Sequence, residues 1–517
     1  MLEALLRFQR NLCDNSYMEI NTEALKFILG IKIRQTRHHN NMSLKQLSES
    51  SGLSLSYISE IEKGKKYPKP EMLFKLAKGL NTTYDELVSL KFENDGNPVT
   101  AILNSPFLNE LPLKEFGISM TEIFELANNT PTKASAFIQT LLEIGRNYDL
   151  QVEHFLLASL RSYQKMHLNY FPELESLATK FLKETLKTQS LSHSFLEQLL
   201  LNEYDVLVTY QDLSIEKELM SLRSIWIQGK HQKVIINKKL NASQKTFQLA
   251  KEVYYRIKGI KVRPESSTWM KIESFEQVYN NFEASYFAGA LLLPEKKLVK
   301  QISQFIRLAN WQSEKLEKII ESYPTTPEMF LYRLSQLIPH HFQMLQMHYM
   351  RLHNTPGEEG FYLTKELNTT DVFVPRGIGP HEHHCRRWAS IQLLKKLAKK
   401  QKKGKSPKIL ISAQRSKFDE ESGVFFNIAI ARPMSINEKK NSGMTLGFKI
   451  NRHFKDKARF WNDPNVAEVQ VNETCERCPL TLDQCKERSA APDIYNQQLE
   501  IKNKEKKLQQ FISREQL

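Results

Sequence analysis

The stretch SLKQLSESSGLSLSYISEIEKG, residues 43–64, reads as two short helices meeting at a tight turn, and the rest of the chain is interpreted outward from it. Ser43 followed by Gln46 is a capping box, so a helix starts at Leu44 and presents Leu47 inward. Gly52 supplies the turn and Ser54 caps the next helix. Leu53 and Ile58 have the spacing of a hydrophobic staple, and Gly64 closes that helix. Upstream, Leu29 and Ile33 lie one turn apart on a first helix that also carries Arg34 and Arg37. Downstream, Pro68 and Pro70 stiffen a loop, Pro70 suits a first helical position, and Leu73, Leu76, Ala77 and Leu80 form an apolar stripe. Thr83 with Glu86 makes a second capping box. These signals predict a compact five-helix domain over residues 25–90, preceded by an extension over residues 1–24.

The positions Gly30, Ile33, Arg34, Leu47, Gly52, Ile58, Ile61, Glu62, Gly64 and Pro68 resemble the pattern of the Cro and lambda-repressor (XRE) class of helix-turn-helix proteins. The resemblance implies that the second helix of the pair enters the major groove of double-stranded DNA with its N-terminal residues toward the base edges. Carried over, Ser54, Leu55, Ser56, Tyr57 and Glu60 face bases, while Lys45, Lys63, Lys65 and Lys66 sit where phosphates pass and act in a salt-dependent way. A homodimer reading two half-sites is the expected assembly. A helical protein-docking module is the alternative reading of the same pattern. Ser and Leu discriminate bases weakly, so the operator is not legible.

Composition fits several packed domains rather than a disordered tail, with 517 residues, 41% hydrophobic and 10% aromatic. The net charge of +15 suits a polyanionic partner, but much of it comes from the lysine run at residues 395–408, which reads as a solvated face. The longest apolar stretch, residues 286–294, is too short for a membrane span, and the N-terminus lacks the pattern of a secretory signal, so a cytoplasmic, membrane-free protein is expected.

Residues 91–211 read as a helical connecting region, with amphipathic stretches at 120–127, 134–146, 151–165, 174–188 and 194–201. From 212 to 301 the pattern changes: strands at 222–227 and 233–236, then helices at 243–258 and 275–293. Ala284-Ser-Tyr-Phe287-Ala288-Gly-Ala-Leu291-Leu-Leu-Pro294 resembles a signature of the ImmA/IrrE family of zinc metallopeptidase folds. That family's His-Glu-x-x-His helix stands here as Lys251-Glu252-Val253-Tyr254-Tyr255, and its later carboxylate ligand is Asn281. A catalytic zinc needs three imidazole or carboxylate ligands and an open position for water, so the motif is degenerate at 251–255 and no catalytic residue is assigned. Metallopeptidase activity is the enzyme alternative.

In residues 302–494, Cys475, Cys478 and Cys485 fall close together and Cys385 lies upstream. Five cysteines in a chain of this expected location argue against a disulfide framework, and four thiols suit zinc or an iron-sulfur cluster; unligated buried cysteines are the other reading. The spacing is similar to that of the WhiB-like regulators. His383 and His384 are spare candidates, and Cys13 is given no role. Strands at 342–351, 361–367, 424–431 and 444–450, with helices at 327–337 and 387–400, predict an antiparallel sheet with helices on one face, PAS-like or GAF-like. A charged C-terminal helix occupies 495–517.

In fold class the chain is therefore multidomain and mainly α, with an α+β C-terminal half. Its segment order resembles the short-chain fatty acyl regulators (PrpR- and RamB-like). That resemblance implies a transcription regulator of carbon or fatty-acid metabolism that senses a short-chain acyl-CoA and carries zinc or an iron-sulfur cluster. Arg386, Arg387, Arg432 and the lysine run are the cations available for an acyl-CoA ligand's phosphates. A redox or metal sensor without a small-molecule ligand is a further alternative.

Overall fold

The computed structural model describes residues 22–89, 116 and 152–515, apart from 188, 217, 230–231, 268–271, 273, 371–381, 406, 419–422 and 435–439. The chain divides into two compact units, residues 1–159 and 160–517. The expected helices at 120–127 and 134–146, and Cys13, lie outside the described residues.

In the first unit, α1 (Thr22–His39), α2 (Leu44–Ser51), α3 (Leu55–Glu62), α4 (Pro70–Gly79) and α5 (Tyr84–Val88) form the five-helix domain. α1 begins at Thr22, inside what the sequence suggests is extension, because its helical turns continue unbroken into the core-facing Leu29. Both capping boxes form, at Ser43–Gln46 and Thr83–Glu86, and Ser54 caps α3. Gly52 and Gly64 adopt φ +67°, the left-handed region that glycine enters without steric cost. Leu29, Ile33, Leu47, Leu53, Ile58, Ile61, Leu73, Leu76 and Leu87 meet in one core.

In the second unit, α6 (Val152–Met166), whose later turns belong here, α7 (Pro172–Phe181) and α8 (His193–Tyr204) lead to β1 (Val206–Gln211). The helical reading of 91–211 fails at β1, which pairs in parallel with β3 (Gln232–Asn237); β2 (Ser224–Ile227) pairs antiparallel on β3's other side. That sheet therefore starts before residue 212. α9 (Ala242–Ile257) and α10 (Phe275–Leu292) pack side by side next to it. Helices α11 (Glu295–Ile306), α12 (Ser313–Glu321) and α13 (Pro327–Phe342) follow, so a boundary at residues 301 and 302 would cut through α11.

The remaining strands are β4 (Met347–Asn354), β5 (Tyr362–Asn368), β6 (Leu410–Lys417), β7 (Val424–Pro433), β8 (Asn441–Lys449) and β9 (Glu468–Gln470), with α14 (Ala389–Lys402) between β5 and β6. They make one sheet in the order β5-β4-β8-β7-β6-β9, antiparallel except for the short parallel β6–β9 edge. Helices cover both faces, not one. On β7, Phe426, Ile428 and Ile430 pack with α11–α13, while Ala429 and Ala431 pack with α14. Alternate residues point to opposite faces of a strand, so a strand apolar at both parities must be covered twice. The strand expected at 342–351 starts only at Met347, because α13 runs on through Phe342 to the left-handed Gln343. After α15 (Arg452–Lys457) and β9, α16 (Asp493–Glu515) closes the described chain with an exposed surface.

Candidate functional site

The first site is the face of α3. Leu55 is 47% exposed and Ser56 is exposed at the start of α3, and Lys45 on α2 and Lys63, Lys65 and Lys66 after the end of α3 are exposed too. Three of the expected base-facing residues are otherwise engaged. Ser54 Oγ accepts the Tyr57 backbone N–H at 3.3 Å as a cap. Tyr57 is half-buried against the core. Glu60 pairs with Lys66 at 2.7 Å, and the hydrogen bond and charge of Lys66 hold the Glu60 carboxyl below its usual range. A guanidinium lies behind the face: Arg37 donates through Nε to Glu62 Oε1 at 2.7 Å and through Nη2 to Oε2 at 2.9 Å, both side chains buried, and its Nη1 reaches the Met42 carbonyl at 2.8 Å. Sequence reasoning listed Arg37 and Glu62 separately. The signal for their pairing was an acid at a position that must face inward, which requires a buried partner.

The second site is the cleft beside α9. Lys251 is buried and its Nζ donates to Asn281 Oδ1 at 2.6 Å across the α9–α10 contact, with Tyr255 Oη 3.5 Å from the same oxygen. Burial, then repulsion by Arg263 and Arg223, pushes the Lys251 ammonium down to about 7, with Glu252 acting in the opposite sense. Glu252 is bound by Arg256 (3.0 and 2.7 Å to Oε1) and Arg263 (2.8 Å to Oε1, 2.6 Å to Oε2). Both guanidinia also lie on the Trp226 ring, at 4.3 and 4.4 Å. The residues where a metallopeptidase would place its zinc ligands are thus an ammonium, a phenol and an amide joined to each other. The donor set does not fit a zinc ion, and Glu252 is tied to two arginines rather than poised as a base.

The third region carries the four cysteines on two neighbouring segments. The segments 382–388 and 473–485 are joined by the His384–Thr474 bridge, by Cys385 N–H to the Glu473 carbonyl (3.1 Å) and by Cys475 N–H to the His383 carbonyl (2.9 Å). Cys385, Cys475, Cys478 and Cys485 are all buried free thiols. Burial pushes Cys385 up to about 12, with the nearby Cys475 and Cys478 adding to it, and burial likewise raises Cys478, with Cys485 and Cys475 adding and Arg488 opposing. Arg488 braces the loop, donating to the Cys475 carbonyl at 2.7 Å and to the Leu480 carbonyl. Among the described residues no three His, Cys, Asp or Glu side chains are grouped so as to hold a metal ion. His383 is bound to Glu476 at 2.7 Å, and His384 is buried with Nδ1 unpartnered.

The cations expected for an acyl-CoA ligand do not converge. Arg386 donates to the Glu359 carbonyl, Arg387 to the Gln470 carbonyl, and Arg432 is held by Glu328 at 2.9 Å. The lysine run is a solvated face of α14 and the loop after it. No helix of the described residues is long and apolar enough to cross a membrane.

A helix-turn-helix family model matches residues 33–87, and the model of the IrrE N-terminal-like domain matches residues 201–335. Control protein C.SmaI of Serratia marcescens is 38% identical over 65 residues, which is 13% of this chain and 77% of that protein. An uncharacterized HTH-type transcriptional regulator of Mycobacterium tuberculosis is 36% identical over 58 residues, 11% of this chain and 41% of that one. Among solved structures, a Mycobacterium tuberculosis transcriptional regulator covers 64% of this chain and 92% of its own at 17% identity and a TM-score of 0.44. The restriction-modification controller protein C.AhdI from Aeromonas hydrophila covers 12% of this chain and 94% of its own at 29% identity and a TM-score of 0.12, and neither superposition carries an argument. With C.SmaI spanned over 77% of its length and the matched residues falling on α1–α5, this chain belongs through its N-terminal domain to the helix-turn-helix family, with an IrrE N-terminal-like domain following in the same chain.

Proposed function

We propose that the protein is a sequence-specific DNA-binding transcription regulator whose second unit adjusts DNA reading in response to a ligand or a thiolate-bound centre. The observation that carries this is α3 and its flanks: an exposed N-terminal turn, with exposed lysines on α2 (Lys45) and just past the C-terminal end of α3 (Lys63, Lys65 and Lys66), on a helix held by the core and the Arg37–Glu62 pair. The control and regulator proteins it resembles support the same reading. Selection of genomic fragments by the full chain tests it. Enrichment of one motif is expected, and Ser56→Arg should change the preferred bases while Lys63→Ala weakens all sequences alike. An absence of sequence preference even in dilute salt would refute it.

The second unit supports a sensor role in two ways. Its six-stranded sheet, in the order second, first, fifth, fourth, third, sixth strand, antiparallel except at the last edge and covered by helices on both faces, is the part we read as PAS-like or GAF-like. Between that sheet and α11–α13 lies a small apolar void lined by residues such as Ile302, Leu334, Phe426 and Phe448, which an acyl chain would have to widen in order to enter. Cys385, Cys475, Cys478 and Cys485 are the residues that would hold zinc or an iron-sulfur cluster: thiols are the donor type either accepts, and binding would have to draw the four side chains together, since no such ligand group stands ready among the described residues. Such a group would cross-link the two cysteine segments and, as a cluster, make that link redox-dependent. Anaerobic purification with iron, sulfide and zinc analysis decides between them, and Cys478→Ser should lose the bound element. A melting temperature unmoved by acyl-CoA would remove that ligand. We read the α9 cleft as non-hydrolytic, because the residue types at 251, 255 and 281 offer no ligand set for a catalytic zinc.

A further inference from the structure

The cleft beside α9 is left unused by the reading above. It is a small, solvent-open cleft whose lining includes Trp226, Lys251, Glu252, Tyr255, Arg263 and Asn281. Its charges do not balance inside. Arg256 and Arg263 both close on the single carboxylate of Glu252, so Lys251 is left with the neutral amide oxygen of Asn281. Glu265 also lines the cleft but stands exposed. Arg263 Nε is buried without a hydrogen-bond partner. The wall opposite these polar groups includes Ile225 and Val234.

An uncompensated buried cation costs free energy unless an anion joins it. Arg223 acts on Lys251 but does not line the cleft; of the cations that line it, Arg263 is already held by Glu252, so the single ammonium of Lys251 matches one negative charge, whereas a phosphate dianion calls for a second. The free edge of β2 is taken as well: the Trp226 N–H donates to the Glu265 carbonyl at 2.7 Å and the Ser267 N–H to the Ser224 carbonyl at 3.0 Å. An extended peptide therefore has no strand edge to join here, which favours a free acid. We propose that this cleft binds a small organic monocarboxylate, its carboxylate against Lys251 and its short apolar tail against Ile225 and Val234. The carboxylate takes up the charge that a metal ion would balance in a peptidase of this fold, with the polarity of site and ligand exchanged.

The test uses the full chain and reads no DNA, so its failure leaves the regulator reading untouched. Sodium butyrate, sodium acetate and inorganic phosphate are titrated against sodium chloride of equal ionic strength while the melting temperature is followed. A saturable rise with butyrate, larger than with phosphate or chloride, is expected, and Lys251→Met should weaken it by at least about tenfold, one lost charge-assisted hydrogen bond. Should that variant fail to fold, broadening of the butyrate carboxyl 13C signal by the wild-type chain gives the same answer. It should fade as pH rises through about 7, where Lys251 loses its proton. The groups facing Lys251 are Glu252 and Tyr255 on its own helix, Arg223 ahead of β2, Arg263 in the covering segment, Lys365 on β5, whose charge adds to the repulsion, and the uncharged Asn281 on α10. Butyrate acting no better than chloride, phosphate acting better than butyrate, Lys251→Met binding as tightly as wild type, or broadening indifferent to pH would each overturn the proposal.

Discussion

At the scale of single residues, two positions carry stability in opposite ways. A Cβ on Gly30 would stand 2.3 Å from the Ile61 carbonyl oxygen, so glycine is what lets α1 lie against α3. Alanine favours a helix interior over glycine by about 1 kcal/mol, but the backbone clash outweighs it. Gly30→Ala should therefore destabilise the N-terminal domain by about 1–3 kcal/mol in denaturant titrations, and a stabilised variant would show the packing to be looser. Lys251 works through protonation. Its ammonium titrates at about 7 in the folded chain against an ordinary 10.5, so between those values the unfolded chain binds more protons. Stability then rises with pH across that window as far as this group is concerned. Lys251→Met should flatten the rise, measured as the urea midpoint from about pH 7 to about pH 10; an unchanged slope would place the charge elsewhere.

At the scale of elements, the Arg37–Glu62 pair fixes the angle at which α3 is presented. Removing one partner strands a buried charge, so Arg37→Met should cost about 3–5 kcal/mol. The double change Arg37→Met with Glu62→Leu should recover most of that, since a well-packed apolar pair replaces a buried ion pair at little net cost. A double variant as unstable as the single one would mean that geometry rather than charge is at stake. A comparable lock joins α7, α10 and α13. There the fully buried Arg333 donates to both oxygens of Glu175 at 2.7 Å, and Tyr286 Oη donates to the same carboxylate at 2.6 Å. Capping boxes, the two positive-φ glycines and the apolar stripes were readable from sequence because each depends on neighbours within one turn. The two ion pairs were not, since an inward-facing acid announces that it needs a partner but not which residue, 25 or 158 positions away, supplies it.

At the scale of the whole molecule, the lysines proposed to face phosphates should give DNA affinity a steep salt dependence. Lys63→Ala should reduce the slope of log K against log salt by about 1 unit, measured by fluorescence anisotropy on the selected fragment; an unaltered slope would remove Lys63 from the phosphate path. The sequence by itself determined the five-helix domain, the loss of zinc ligands at 251, 255 and 281, and most of the strands and helices of the second unit, because periodicity and capping are properties of contiguous residues. Only the tertiary structure decided that Val206–Gln211 is a strand, that both faces of the large sheet are covered, that Glu60 is spent on Lys66, and that Lys251 ends buried against an amide. Each of these depends on which distant segment arrives beside a residue. A short apolar run is strand or helix according to what pairs with it, and a charged side chain acquires its chemistry from the partners and the dielectric that folding gathers around it.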